Sequence, residues 1–128
     1  YHGAWGYQAE IGVAISMAAG ALAFLLTDDL DVIERAAVLG AQSVLGQICD
    51  PIGGCSQVPC FIRNMTAVPT AVICANAALS GCETLTSLDE MSETILRVGL
   101  NLKKHGINDL GICYCRMQQD METEVRKQ

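Results

Sequence analysis

Three cysteines, one carboxylate and one guanidinium stand close together as Cys49-Asp50-Pro51, then Gly53-Gly54-Cys55, then Cys60 and Arg63. Thiolates are soft ligands that select zinc, copper(I) or iron–sulfur clusters. The C-x5-C-x4-C spacing lacks the C-x2-C pairs of common zinc sites, and neither His2 nor His105 is near it in sequence. A metal site and a set of reduced structural thiols are both open on spacing alone. Nucleophilic catalysis would need a base beside the thiolate, which only folding could bring from either histidine. Asp50 reads either as a hydrogen-bond acceptor at a helix end or as an acid–base group.

The setting of these residues is apolar. Between Ala36 and Cys82 the only charged residues are Asp50 and Arg63. Pro51 lacks an amide hydrogen and the glycines are conformationally free, so the stretch cannot continue a helix. It is expected to be a tight loop between two helices, with Cys49 ending one and Cys60 opening the next. A loop that enters a core must satisfy its own backbone groups and usually lines a site. The helix opening near Cys60 would aim free amides and a positive dipole end at that site, which suits an anion or a thiolate.

The elements that must position the loop follow from composition and periodicity. A chain of 128 residues, 51% hydrophobic, 17% charged and only 5% aromatic, is expected to form one domain of closely packed helices. The first helix runs from about Gln8 to Leu26, with Ala14, Ala18 and Ala21 as a close-approach face and Ile11, Ile15, Leu22 and Leu25 opposite, so it is expected to be buried all round. Asp28 is the expected cap of a second helix running to about Gly46, with Leu30, Ile33, Ala37 and Val44 inward. A third helix covers roughly Phe61 to Leu79, with a kink at Pro69 and a stop at Ser80-Gly81. Cys74 reads as a small buried hydrophobe within it. Ser87-Leu88-Asp89-Glu90 is a capping box opening a fourth, surface helix with an apolar stripe from Leu88 through Met91, Ile95 and Val98 to Leu102, and Glu93 paired with Arg97 in water. A thin stripe at Met117, Met121 and Val125 predicts a fifth, polar helix.

Charge and cysteine usage bound the partners. The net charge is −6, and the lysines and arginines from Arg97 onward are interleaved with acids, which argues against nucleic acid. The uncharged run Ile11 to Leu26 is shorter than the roughly 20 residues needed to span a bilayer, so no membrane role is expected. Seven cysteines without a secretory signal fit a reducing, cytoplasmic compartment. The chain opens Tyr1-His2-Gly3-Ala4-Trp5-Gly6 without a methionine, which predicts a natural start further upstream.

Cys49-Asp50-Pro51-Ile52-Gly53-Gly54, Gln57-Val58-Pro59-Cys60 and Arg63-Asn64 together resemble the signature loop of the bacterial iron–sulfur-dependent L-serine dehydratases. Gly6-Tyr7-Gln8-Ala9-Glu10-Ile11-Gly12 is similar to that family's G-C-Q-x-E-x-G segment. The resemblance covers about residues 3 to 102. It implies an all-helical α domain with a 4Fe-4S cluster held by three cysteines, leaving one iron open to the substrate. That iron would act as a Lewis acid on the β-hydroxyl of serine while a base takes the α-proton, and aminoacrylate would hydrolyse to pyruvate and ammonia.

By this resemblance Cys49 and Cys60 are ligand positions, and Asp50, Gly53, Gly54 and Arg63 shape the substrate pocket, with Arg63 the candidate for the substrate carboxylate. The family's first ligand cysteine is replaced here by Tyr7. A tyrosine phenolate, or Cys55, Cys113 or Cys115, would have to stand in. The family's Gly-Gly-Leu-Ala segment after the fourth helix survives only as a trace in Lys104 to Ile112.

The expectation is an all-α protein: a compact bundle of four to five helices with a Cys-rich loop between helices two and three. It would be a single helical domain over residues 1–128, the C-terminal portion of a longer serine dehydratase-like α domain. The expected substrate is a small amino acid, and the expected partners are a second copy, a β chain or an upstream domain. The rival readings are a structural or regulatory homologue that lost the cluster, and a zinc or redox thiol protein using Cys49, Cys55, Cys60, Cys113 and Cys115.

Overall fold

The computed structural model describes residues 5–48 and 58–105. They form four α-helices: α1 Tyr7–Phe24, α2 Leu30–Gln42, α3 Val58–Leu79 and α4 Leu88–Lys104. There is no strand among the described residues, so the all-α bundle read from composition is what forms. The Cys-rich loop, and the fifth helix expected around Met117, Met121 and Val125, lie outside the described residues.

Local sequence accounts for the ends of the helices. At α4 the Ser87 hydroxyl accepts the Glu90 amide at 3.3 Å, while a Glu90 carboxylate oxygen accepts the Ser87 amide at 2.9 Å, completing the capping box. At α3 the chain leaves through Gly81, whose φ of 88° places it in the left-handed region. The Cys82 amide then closes on the Ala77 carbonyl at 2.9 Å and the Gly81 amide on that of Ala78 at 3.0 Å, a Schellman stop. α2 is capped by Asp29, not Asp28: its carboxylate accepts the Asp31 amide at 3.0 Å, and the Thr27 hydroxyl accepts the Asp29 amide. α2 ends at Gln42, short of Gly46, so Cys49 does not end it, and α3 begins at Val58, ahead of both Cys60 and Phe61. α3 runs unbroken through Pro69.

α1 packs against both α2 and α3, α2 also against α3, and α4 lies across α2 and the start of α1. The core is built from small residues and a few branched ones: Ile15, Ala19, Ala23, Ala36, Ala71 and Ala78. Cys74 is buried among them, and burial raises its thiol pKa. On α4, Met91 is the buried anchor of the predicted stripe, and Glu93 and Arg97 pair at 2.6 Å in solvent.

Two expectations about helix faces are corrected. α1 is not buried all round. Its buried side carries Gly12, Ile15, Ser16, Ala19, Gly20 and Ala23, whereas Ala14, Ala18 and Ala21 are exposed. The helix is nearly as apolar on one side as on the other, so periodicity gave the face no phase. The close approach comes from glycine, with Gly40 of α2 lying against the Ser16 backbone. Leu30, the first residue of α2, is likewise exposed and not inward.

The outer side of α1 and the adjoining side of α3 form an apolar groove of about 690 Å3, lined by residues that include Ala14, Ala18, Leu25, Val68 and Val72. Of these, Leu25 and Val68 are each more than two-thirds exposed. Among the described residues, one helix, Tyr7–Phe24, is long and apolar enough to cross a membrane by length and composition alone. Its inner face is packed on α2 and α3, as in the core helix of a bundle.

Candidate functional site

The first turn of α1, the first turns of α3 and the segment after α2 converge at one end of the bundle. Tyr7 and Gln8 open α1, Cys60 and Arg63 lie near the start of α3, and Ser43 to Ile48 lead from α2 toward Cys49. Gln8 is fully buried. Its side-chain amide donates to the carbonyls of Trp5 (3.2 Å) and Ile95 (3.1 Å), and its oxygen accepts the Gly46 amide at 2.9 Å. The Gln8 backbone amide also donates to the Gln47 carbonyl at 3.3 Å. One residue therefore ties the start of α1 to α4 and to the segment after α2 that leads toward Cys49. A buried amide with this many partners is fully satisfied and rigid.

Tyr7 sits next to this clasp and is only 5% exposed. The Arg63 guanidinium carbon lies 5.4 Å from the centre of the Tyr7 ring, within cation–π range, and an Arg63 terminal nitrogen donates to the Ile48 carbonyl at 3.0 Å. Burial pushes the Tyr7 phenol up to about 12 from 10.0. The Arg63 charge opposes that rise, while Cys60 and Glu10 add to it. The phenol is neutral throughout the physiological range. Cys60 is buried and reduced.

A polar cavity of about 150 Å3 opens beside these residues, lined by Tyr7, Ser43, Gln47, Arg63, Thr66 and Thr70 together with Ile15, Val44 and Ala67. It has room for a molecule of a few heavy atoms. The Thr66 and Thr70 hydroxyls each donate back to α3, to the Arg63 carbonyl at 2.9 Å and the Thr66 carbonyl at 2.7 Å, and each keeps acceptor capacity.

Of the residues singled out in the sequence, the structure brings Tyr7, Cys60 and Arg63 together. Cys49, Asp50, Gly53, Gly54, Cys55, Cys113 and Cys115 lie outside the described residues. Sequence reasoning gave no role to Gln8, Ser43, Thr66 or Thr70. Gln8 carried a usable signal, a large amide at the head of an otherwise apolar helix; the two threonines carried none beyond their α-helical spacing from Arg63.

The described donors do not fit a cluster held by three cysteines. Position 7 offers a neutral, buried phenol facing a guanidinium, where the resemblance calls for a thiolate. No group of three His, Cys, Asp or Glu that could hold a metal ion occurs among the described residues.

A family model, "Serine dehydratase alpha chain", matches residues 3–108. The chain is 42% identical over 98 residues to an L-serine dehydratase of Streptomyces coelicolor, covering 76% of this chain and 22% of the relative. It is 43% identical over 94 residues to the L-serine dehydratase alpha chain of Peptoniphilus asaccharolyticus, covering 73% and 32%. To L-serine dehydratase 1 of Escherichia coli it is 41% identical over 98 residues, covering 76% and 22%. The chain thus spans between about a fifth and a third of the length of these curated relatives. With the family model matching most of its length, the chain belongs to the serine dehydratase alpha chain family.

Proposed function

We propose that this chain is the C-terminal helical portion of an L-serine dehydratase-type α domain and supplies one wall of a pocket for L-serine or a related small amino acid. The supporting observation is the polar cavity lined by Tyr7 and Arg63, in a chain of this family, at the end of the bundle where α3 begins, near Cys60. The reaction would be an elimination yielding pyruvate and ammonia. Arg63, held between the Tyr7 ring and the Ile48 carbonyl, is the proposed counter-charge for the substrate carboxylate. Thr66, Thr70 and Ser43 offer hydroxyls to the polar end of the ligand. Asp50, Gly53 and Gly54 would help shape the pocket, and Cys49 and Cys60 are the proposed thiolate positions. Cys55, Cys113 and Cys115 are the proposed candidates for a third.

The rest of the machinery would come from an upstream domain, a β chain or a second copy seated against the apolar groove of α1 and α3. In this reading the site is cytoplasmic and the general base lies elsewhere. The neutral Tyr7 phenol favours a second reading, a homologue that keeps the fold and binds the small ligand without catalysis.

The test is pyruvate and ammonia release from L-serine by the full-length protein, purified anaerobically and reconstituted with iron and sulfide. Turnover that falls at least tenfold in Arg63→Gln supports the first reading. Absence of turnover together with retained serine binding supports the second.

A further inference from the structure

We infer that the Tyr7–Arg63–Ile48 contact is a metal-free tie that stands where the family's first cysteine would join α1 to the cluster, and that Tyr7 is a packing platform for Arg63, not a ligand. The inference rests on the family reading of positions 7 and 60 and goes beyond it by giving position 7 a different job.

A cysteine at the head of α1 and one at the head of α3, bound to a common cluster, would cross-link the two helix starts. In this chain the same two helix starts are joined by other means. The Tyr7 ring on α1 lies under the Arg63 guanidinium of α3 at 5.4 Å. Arg63 reaches on to the Ile48 carbonyl at 3.0 Å, one residue before Cys49. The connection therefore passes from α1 through α3 to Ile48, next to Cys49 in sequence.

The burial of Tyr7, at 5% exposed, shows that the ring fills its site and is not held at a solvent edge. A guanidinium over the ring also sets a positive charge against any metal approaching the phenol. Removing the hydroxyl leaves the ring, the burial and the cation–π contact in place. Shortening the side chain to cysteine removes all three and supplies the missing thiol.

The test uses the full-length protein, its Tyr7→Phe variant and its Tyr7→Cys variant. Each is purified anaerobically, reconstituted with ferrous iron and sulfide, and measured for iron, acid-labile sulfide, visible absorption and Tm with and without iron. Tyr7→Phe is expected to match the unsubstituted protein in iron, sulfide and Tm. Tyr7→Cys is expected to melt several degrees lower without iron, to take up more iron and sulfide than the unsubstituted protein, and to recover Tm when loaded.

The inference is overturned if Tyr7→Phe loses iron that the unsubstituted protein holds, together with a phenolate-to-iron absorption band, since Tyr7 would then be a ligand. It is equally overturned if metal-free Tyr7→Cys melts where the unsubstituted protein does, or if it fails to gain iron. Should Tyr7→Cys not fold, the Tyr7→Phe comparison decides alone. No readout involves substrate turnover, so a protein inactive on serine refutes the proposed function and leaves this inference standing.

Discussion

Gly40 lies against the backbone of Ser16: a Cβ built on Gly40 would stand 2.9 Å from the Ser16 Cα and 3.0 Å from the Ser16 nitrogen. The Ile15 carbonyl oxygen lies at 3.0 Å as well, so every near neighbour is backbone and none can rotate away. This contact lets α2 approach α1 closely and brings the segment after α2 to Gln8.

Replacing Gly40 by Ala should therefore destabilise the bundle by about 1–3 kcal/mol, the usual range for overpacking a close helix crossing. Ala is the better helix former by about 0.5–1 kcal/mol, and that gain is too small to offset the clash. Gly20 is the internal control. A Cβ there meets the Ala37 Cβ at 3.5 Å, an ordinary contact, so propensity decides and Gly20→Ala should stabilise by about 0.5–1 kcal/mol. Chemical denaturation of the two variants should give shifts of opposite sign.

The buried Gln8 amide supports a second prediction. Gln8→Leu preserves side-chain volume but leaves the Gly46 amide and the Trp5 carbonyl without their partner inside the bundle, while the Ile95 carbonyl keeps its place in the α4 ladder. Each unsatisfied buried group costs about 1–3 kcal/mol, so a loss of about 2–4 kcal/mol is expected for the pair after partial relaxation. Native-state hydrogen exchange should show the Gly46 amide losing protection first.

How far the sequence was legible depended on whether a signal was local. The Ser87–Glu90 capping box, the Gly81 stop and the Glu93–Arg97 pair each lie within a turn of chain, and each formed as read. The phase of α1 did not follow, because Ala14, Ala18 and Ala21 look as suitable for close packing as Gly12, Ser16 and Gly20. The choice between them is made by Gly40, far along the chain. At the site, Arg63 was legible as the lone cation of an apolar stretch. Its seat on the Tyr7 ring was not, since that contact is set by how α1 and α3 meet. The proposal that Cys49 and Cys60 are ligand positions rests on the family resemblance, because spacing alone left it open.

The cysteines should separate by reactivity. Cys82 is exposed, whereas Cys74 is buried with a pKa raised by desolvation. Brief alkylation at neutral pH followed by peptide mass spectrometry should label Cys82 at least tenfold faster than Cys74. Comparable labelling of Cys74 would mean that the α1–α3 contact opens readily.

Tyr7 gives stability a specific dependence on alkaline pH. Its phenol titrates at about 12 in the folded chain against 10.0 when unperturbed, because burial outweighs the favourable Arg63 charge. The folded pKa is the higher one, so this contribution is complete below pH 10 and is lost as pH rises from about 10 to about 12, where the unfolded chain ionises first. The loss is on the order of 2 kcal/mol. Because other contributions to stability also change at alkaline pH, the quantity to measure is the difference in unfolding free energy between the unsubstituted protein and Tyr7→Phe at pH 9 and again at the highest pH where both fold. A difference that shifts in favour of Tyr7→Phe as pH rises is expected. A difference independent of pH would mean that the Tyr7 hydroxyl meets water in the folded state, and that the ring is less enclosed by Arg63 and Cys60 than its 5% exposure indicates.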